Sequence, residues 1–277
     1  MKKIILLLCL FSLSCSQEPQ TLEELRKAGQ NAYIDTDYIS AQKYFNKALL
    51  IKASDRDALY YLGQTFQKLK QDDSAMYYFK RADILFPNDR ELNIAIYVSS
   101  KILNDHQNTI RAINALIHTG DKPETYFFEL ANLNLKTGNI IVSFQYLRKI
   151  WENKTDDPAI YLGLGNVAVQ VDSMDFAVKI MREAVERFGE KDEFVTNLAI
   201  YLAGADKLPE AERVLKKILI KNPNSQPLLF NLANVLALFD SKSKKEESLR
   251  IYKKLREDNG NIMNIDSIII DLEQSMK

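Results

Sequence analysis

Residues 56–89 read RDALYYLGQTFQKLKQDDSAMYYFKRADILFPND, and this stretch decides the fold. Its apolar residues recur at intervals of three and four on both sides of a mainly polar stretch, which is typical of two amphipathic helices joined by a turn. Gly63 and Ala75 are small enough for the two helices to approach closely. The larger apolar residues predicted to fill the space between the helices are Leu59, Leu62, Phe66 and Phe79.

The same pattern returns with a constant period of 34 residues, in blocks that start at 22, 56, 90, 124, 158, 192 and 226. Position 8 of the seven blocks reads Gly29, Gly63, Tyr97, Ala131, Gly165, Ala199 and Ala233. Position 24 of the first six reads Phe45, Phe79, Ile113, Leu147, Met181 and Leu215. One hairpin cannot bury its apolar face alone, so we expect neighbouring blocks to stack into a continuous core.

Two blocks depart from this pattern. In the third block larger residues replace small ones, at Tyr97, Thr109 and Leu116, which predicts looser packing or sequence drift without functional meaning. The seventh block needs three extra residues, which we place in the loop between its helices, at 241–244. With this insertion, Ser248 falls at the position that other blocks fill with a small residue. Tyr252 and Leu255 then fall at core positions of the second helix.

The period and its columns resemble the tetratricopeptide repeat. The resemblance implies an all-α, right-handed α-solenoid of seven helix-turn-helix repeats. These span 22–55, 56–89, 90–123, 124–157, 158–191, 192–225 and 226–260. Apolar residues at helical spacing from Ile262 to Met276 predict that 261–277 forms a capping helix over the last repeat. A helix that docks onto a partner is the alternative.

The N-terminus has the pattern of an export signal. Lys2 and Lys3 precede an apolar run from Ile4 to Leu13, which is too short to span a membrane. Residues 1–14 are therefore predicted to be a signal peptide. Cleavage before Cys15 by an ordinary signal peptidase is one interpretation. Leu13-Ser14-Cys15 also resembles a bacterial lipobox, which implies a lipidated Cys15 followed by a polar tether up to residue 21.

Composition argues against nucleic acid and against catalysis. Lys plus Arg and Asp plus Glu each number 37, and a neutral chain lacks the basic surface of a nucleic-acid binder. His106 and His118 are the only histidines, and Cys15 is the only thiol that remains after the signal peptide, so we expect no metal site. No phosphate loop or nucleophile motif is present. The sequence predicts neither an enzyme nor a cofactor.

The resemblance also implies a binding groove, because first helices line the concave surface in this family. Positions 5, 6 and 9 of the first helices then supply the candidate groove residues. They are Tyr60, Gln64, Phe128, Asn132, Leu162, Asn166, Asn197, Phe230, Asn231 and Asn234. Amide side chains can both donate to and accept from a peptide backbone, and the aromatic residues would anchor the bound segment. The alternative is that these residues pack within the array or solvate its inner face.

These features predict a membrane-anchored scaffold of the bacterial cell envelope that binds a segment of another envelope protein. We expect an exported outer-membrane lipoprotein that faces the periplasm, with surface exposure and self-association left open. An uptake lipoprotein that binds a glycan or another ligand is the alternative function, with the position-5 aromatic residues as sugar platforms.

Overall fold

The computed structural model describes residues 18–258 and 264–276. Within these ranges the chain forms fifteen α-helices and one short 3₁₀ helix, and no strand. The predicted all-α helical-repeat solenoid is therefore confirmed. The predicted signal peptide, Cys15 and the first part of the tether lie outside the described residues. None of the described helices is long and apolar enough to cross a bilayer.

Fourteen of the helices pair into seven hairpins in chain order. The hairpins are α1 (Leu22–Ile34) with α2 (Tyr38–Ile51), α3 (Arg56–Lys68) with α4 (Asp72–Leu85), α5 (Arg90–Ile102) with α6 (His106–His118), α7 (Phe127–Lys136) with α8 (Ile140–Glu152), α9 (Pro158–Gln170) with α10 (Met174–Phe188), α11 (Asp192–Gly204) with α12 (Leu208–Lys221), and α13 (Gln226–Ala237) with α14 (Lys242–Asp258). Every second helix begins at position 17 of its block, so the 34-residue register holds along the described chain.

Acidic and hydroxyl side chains fix where several helices begin. Thr21 and Glu24 form a reciprocal capping box at the start of α1. The carboxylates of Asp55, Asp89 and Asp157 accept backbone N–H bonds at the starts of α3, α5 and α9. These bonds satisfy N–H groups that have no partner within the helix.

The turn inside each of the first six hairpins has a left-handed residue at position 15. Only one of the six is glycine, and the φ angles lie between 54° and 81°. The residues are Thr36, Lys70, Asn104, Gly138, Asp172 and Asp206. Most side chains are strained in this conformation, so the packing of the two helices holds each turn in it.

Close approach of the paired helices explains the small residues at position 8. A Cβ atom added to Gly29 would lie 2.7 Å from the Phe45 ring, and one added to Gly63 would lie 2.5 Å from the Phe79 ring. Both phenylalanines are fully buried. The small residue at position 8 therefore leaves the space that the large residue at position 24 of the same hairpin occupies.

Two details of the predicted register are wrong. The first helix of the fourth block starts late, because Pro123 opens a 3₁₀ helix (Pro123–Tyr126) before α7. The three extra residues of the seventh block mainly extend α14 at its N-terminal end, and the loop before it is only one residue longer than in the other hairpins. The predicted three-residue shift of register in this helix is right, because Ser248, Tyr252 and Leu255 are buried.

The chain divides into two compact units, which we call the first unit (up to Asp121) and the second unit (from Lys122). The core of the first unit runs from Leu25 to Ala112. In the degenerate third block this unit also buries polar groups, and Thr109 donates to the Ser100 hydroxyl at 2.9 Å.

The second unit has its own continuous core, which runs from Ala131 to Leu236. Trp151 contributes to inter-repeat packing and lies edge-on to Phe176, with ring centroids 5.6 Å apart. Helix α15 (Ile265–Ser275) packs Ile265, Ile269 and Leu272 against the last hairpin.

Candidate functional site

The exposed face of the first helices in the second unit carries a depression of about 520 Å³. It lies between α7, α8 and α9, with one residue from α11. Its lining is Phe128, Asn132, Leu135, Ser143, Leu147, Ala159, Gly163, Asn166, Val167, Val169, Gln170 and Tyr201. Three of the predicted groove residues, Phe128, Asn132 and Asn166, are therefore brought together here.

None of the lining residues is charged, so the depression combines apolar surface with amide and hydroxyl groups. Phe128 is 49% exposed although it is a large apolar residue on a helix. Asn132 is also exposed, and its amide makes no hydrogen bond within the described part of the chain. Both side chains are accessible to a bound molecule.

Asn166 is held in a fixed orientation by a buried tyrosine. The Tyr201 hydroxyl donates to Asn166 Oδ1 at 2.6 Å. Burial raises the pKa of Tyr201, so its hydroxyl stays protonated and able to donate at neutral pH. With Oδ1 engaged, the Nδ2 group of Asn166 is the part of the amide left to donate to a ligand.

The other predicted residues of the second unit lie outside the depression. Leu162 is partly buried against the core. Asn197 and Asn231 each donate to a carbonyl one turn earlier in their own helix, at 3.0 and 2.8 Å. Phe230 and Asn234 form a separate cluster around Tyr252, whose hydroxyl donates to Asn234 Oδ1 at 2.5 Å.

The two predicted residues of the first unit, Tyr60 and Gln64, contact each other. Gln64 Nε2 donates to the Tyr60 hydroxyl at 2.7 Å, and the Arg56 guanidinium lies over the Tyr60 ring at 4.9 Å. The three predicted aromatic anchors, Tyr60, Phe128 and Phe230, thus belong to three separate side-chain clusters. Within the second unit, Phe128 and Phe230 do not form one stacking platform.

Charged residues surround Tyr60 in what we call the arginine ladder, defined as Arg26, Arg56 and Arg90 with their carboxylate partners. Arg56 makes a bidentate pair with Asp89, at 2.7 and 2.9 Å, and a further bond to Glu91. Its hydrogen bonds hold the pKa of Asp89 below the usual range. The pairs of Arg56 link the start of α3 to the start of α5.

The lining residues that the groove positions did not predict include Gly163, Ser143 and Tyr201. Tyr201 occupies position 10, which is not a groove position of the family. Ser143 falls in the small-residue column, and its buried hydroxyl has no hydrogen-bond partner. Gly163 was detectable in principle, because Gly165 already supplies the small residue that position 8 requires.

The described residues show no arrangement that resembles a metal centre. No three His, Cys, Asp or Glu side chains among them lie close enough to hold a metal ion. His106 and His118 are the first and last residues of α6. The lysines at 242–245 lie in the first turn of α14, where Lys244 pairs with Glu212.

Stacked helical hairpins with an exposed first-helix face define this chain as a helical-repeat protein. Residues 57–89 match the family model of the tetratricopeptide repeat. The 34-residue register repeats the pattern of this matched segment along the described chain. A comparison with curated proteins found no significant match.

Two solved structures share the fold. In the structure of Naa15/Naa10 bound to HypK-THB, the matching chain has 14% identity and a TM-score of 0.63 over 91% of this chain. This chain spans only 39% of that protein's length. The C-terminal part of a TPR repeat-containing protein from Cytophaga hutchinsonii has 14% identity and a TM-score of 0.52, covering 87% of this chain and 98% of its own. The fold indicates a protein–protein interaction scaffold, since solenoids present extended binding surfaces.

Proposed function

We propose that this protein is an interaction scaffold whose second unit binds an extended segment of a partner protein across α7 and α9. The observation that carries the proposal is the uncharged depression, where the half-exposed Phe128 lies with the unbonded amide of Asn132. Ligand sites are typically concave and mostly apolar, with a few polar groups that fix the orientation of the ligand.

The chemistry of the lining suits a peptide backbone. Asn132 offers both a donor and an acceptor, and Asn166 offers the donor that Tyr201 leaves free. An extended segment presents unpaired N–H and C=O groups that these amides can bond without reading side-chain identity. Phe128 then supplies apolar contact area as the anchor.

Photo-crosslinking tests this proposal. A photoreactive amino acid replaces Phe128, and the adduct is identified by mass spectrometry in the native cell. We expect one dominant protein adduct that is lost when Asn132 and Asn166 are replaced by lysine. The matched control carries the probe at Ile220, which is 82% exposed on the second helix α12. An adduct from Ile220 and none from Phe128 would show that the partner binds the second helices, which would contradict this proposal.

We also propose that a lipid on Cys15 anchors this scaffold to the bacterial outer membrane, facing the periplasm, where its partner is an envelope protein. The basic, apolar and cysteine pattern of residues 2–15 supports this location. Glu18 pairs with Lys47 of α2 at 2.8 Å. Three residues span about 10 Å at most, so the anchor would hold α2 close to the bilayer.

Membrane fractionation of Cys15→Ala tests the anchor. We expect wild-type protein in the outer-membrane fraction and the variant in the periplasmic fraction. Equal membrane association of both proteins would contradict lipid anchoring at this residue and leave the crosslinking test unaffected.

A further inference from the structure

Gly163 differs from every other helical glycine among the residues that the structure describes. A Cβ atom at Gly29, Gly63 or Gly204 would meet a side-chain atom at 2.7 Å or less, and at Gly165 it would lie 3.0 Å from Tyr201. A Cβ atom at Gly163 would meet only Leu147 Cδ1, at an ordinary contact distance of 3.9 Å. Packing therefore does not require glycine at this position.

Backbone conformation does not require glycine there either. Gly163 lies in the middle of α9 (Pro158–Gln170) and has no left-handed φ. Glycine in a helix interior destabilises the helix relative to alanine. The chain thus carries an unfavourable residue at 163 that neither the turn chemistry nor the helix contacts explain.

The missing side chain instead keeps the depression open. Gly163 lines it at position 6 of its block, above a floor that contains the buried Leu147 and Ser143. Any side chain at 163 would extend into this space. The volume of about 520 Å³ falls within the range of ligand-binding pockets.

The lining restricts what can occupy this space. It contains no charged group, so a charged side chain would lose its hydration without gaining a counter-ion. Apolar walls from Phe128, Leu147 and Val167 favour an aromatic or branched aliphatic group. The amides of Asn132, Asn166 and Gln170 lie within the same lining and suit the flanking backbone.

We propose that Gly163 makes this depression a socket for one large apolar side chain in an uncharged, extended segment of the partner. This assignment rests on the proposed function and adds the chemistry of the bound segment. Gly163 then determines specificity, because it sets how large the inserted side chain can be.

The test uses the full purified chain and fluorescein-labelled heptapeptides of Gly, Ser and Thr with one varied central residue. Fluorescence anisotropy measures binding with Phe, Leu, Lys or Gly at the centre. We expect the Phe and Leu peptides to bind at least tenfold more tightly than the Lys and Gly peptides. Gly163→Leu should remove this preference, and Gly163→Ala should weaken it while raising the thermal midpoint.

Asn197→Leu is the matched control, because it places the same side chain at position 6 of the sixth block, outside the depression. Its peptide preference should equal that of the wild type. Equal binding of all four peptides, or a preference that survives Gly163→Leu, would overturn the socket while leaving a peptide-binding face in place. Absence of binding by every peptide would also overturn it. A Phe128 crosslink to a native partner would still support the proposed function in that case.

Discussion

The first-helix faces of the two units are built from the same repeat positions but differ in chemistry. In the first unit, Arg56 covers Tyr60 and pairs with Asp89, so the polar and aromatic groups near position 5 bond to one another. In the second unit, Phe128 and Asn132 are exposed beside an uncharged depression. Repeat positions that face the core, such as 8 and 24, therefore determine the fold. Exposed positions such as 5 and 9 instead determine whether the side chains of a face bond to one another or are available to a ligand.

Breaking the arginine ladder should have the largest effect on stability. Arg56→Ala removes the bidentate pair with Asp89 and leaves that carboxylate, 21% exposed, without its partner. We expect a loss of about 2 kcal/mol in the free energy of unfolding, measured with urea. The control Arg148→Ala removes an exposed pair with Glu152 in the second unit and should cost less than about 0.5 kcal/mol. Equal losses would show that the ladder does not stabilise the first unit.

The same ladder should make stability depend on pH. Hydrogen bonds from Arg56 lower the pKa of Asp89 in the folded state below its usual value. At acidic pH the unfolded chain then binds more protons, so stability is present at neutral pH and falls as the pH is lowered. Between about pH 5 and about pH 3, Arg56→Ala should lose less stability than the wild type. A steeper loss in the variant would contradict this assignment.

Releasing Asn166 should separate binding from stability in the second unit. Tyr201→Phe removes the hydroxyl that orients this amide and should cost about 1 kcal/mol of stability, together with a weaker Phe128 crosslink. Tyr252→Phe is a matched control, since it breaks the corresponding bond to Asn234 outside the depression. The control should lose similar stability and keep the crosslink. Loss of the crosslink in both variants would indicate general destabilisation.

The hairpin turns offer a further comparison, because the two units carry different residues at position 15. Gly138 in the second unit has φ of 81°, so Gly138→Ala should cost about 1 kcal/mol. Thr36 in the first unit holds φ of 63° with a branched side chain, so Thr36→Gly should gain about 0.5 kcal/mol. Thermal unfolding measures the stability of both variants. If both substitutions changed the stability in the same direction, the left-handed conformation would not be the cause of strain at these positions.

The sequence predicts the fold well because its core columns are strict. Small residues at position 8 and large ones at position 24 repeat in register, so every second helix starts where the period predicts. The insertion in the seventh block was misplaced because polar residues suggested a loop. Lys and Glu are in fact good helix formers, and the segment that starts at Lys242 contains neither Gly nor Pro to end a helix.

The candidate site was predictable only in part. The family positions indicate Phe128, Asn132 and Asn166, which do lie together, and their role in binding stays a prediction. They do not reveal that Tyr201 orients Asn166, because that bond joins two helices 35 residues apart in the chain. They also do not distinguish Gly163 from a packing glycine, since only the space around its Cα does so.

The recurrent left-handed turn has a consequence for the kinetics of folding. Each of these hairpins closes over only a few residues, and its contacts join helices that are adjacent in sequence. Low contact order of this kind is associated with rapid folding, and in repeat arrays folding can nucleate at any hairpin and propagate. A newly synthesised chain can therefore begin to form its first hairpins while its C-terminal half is still being translated.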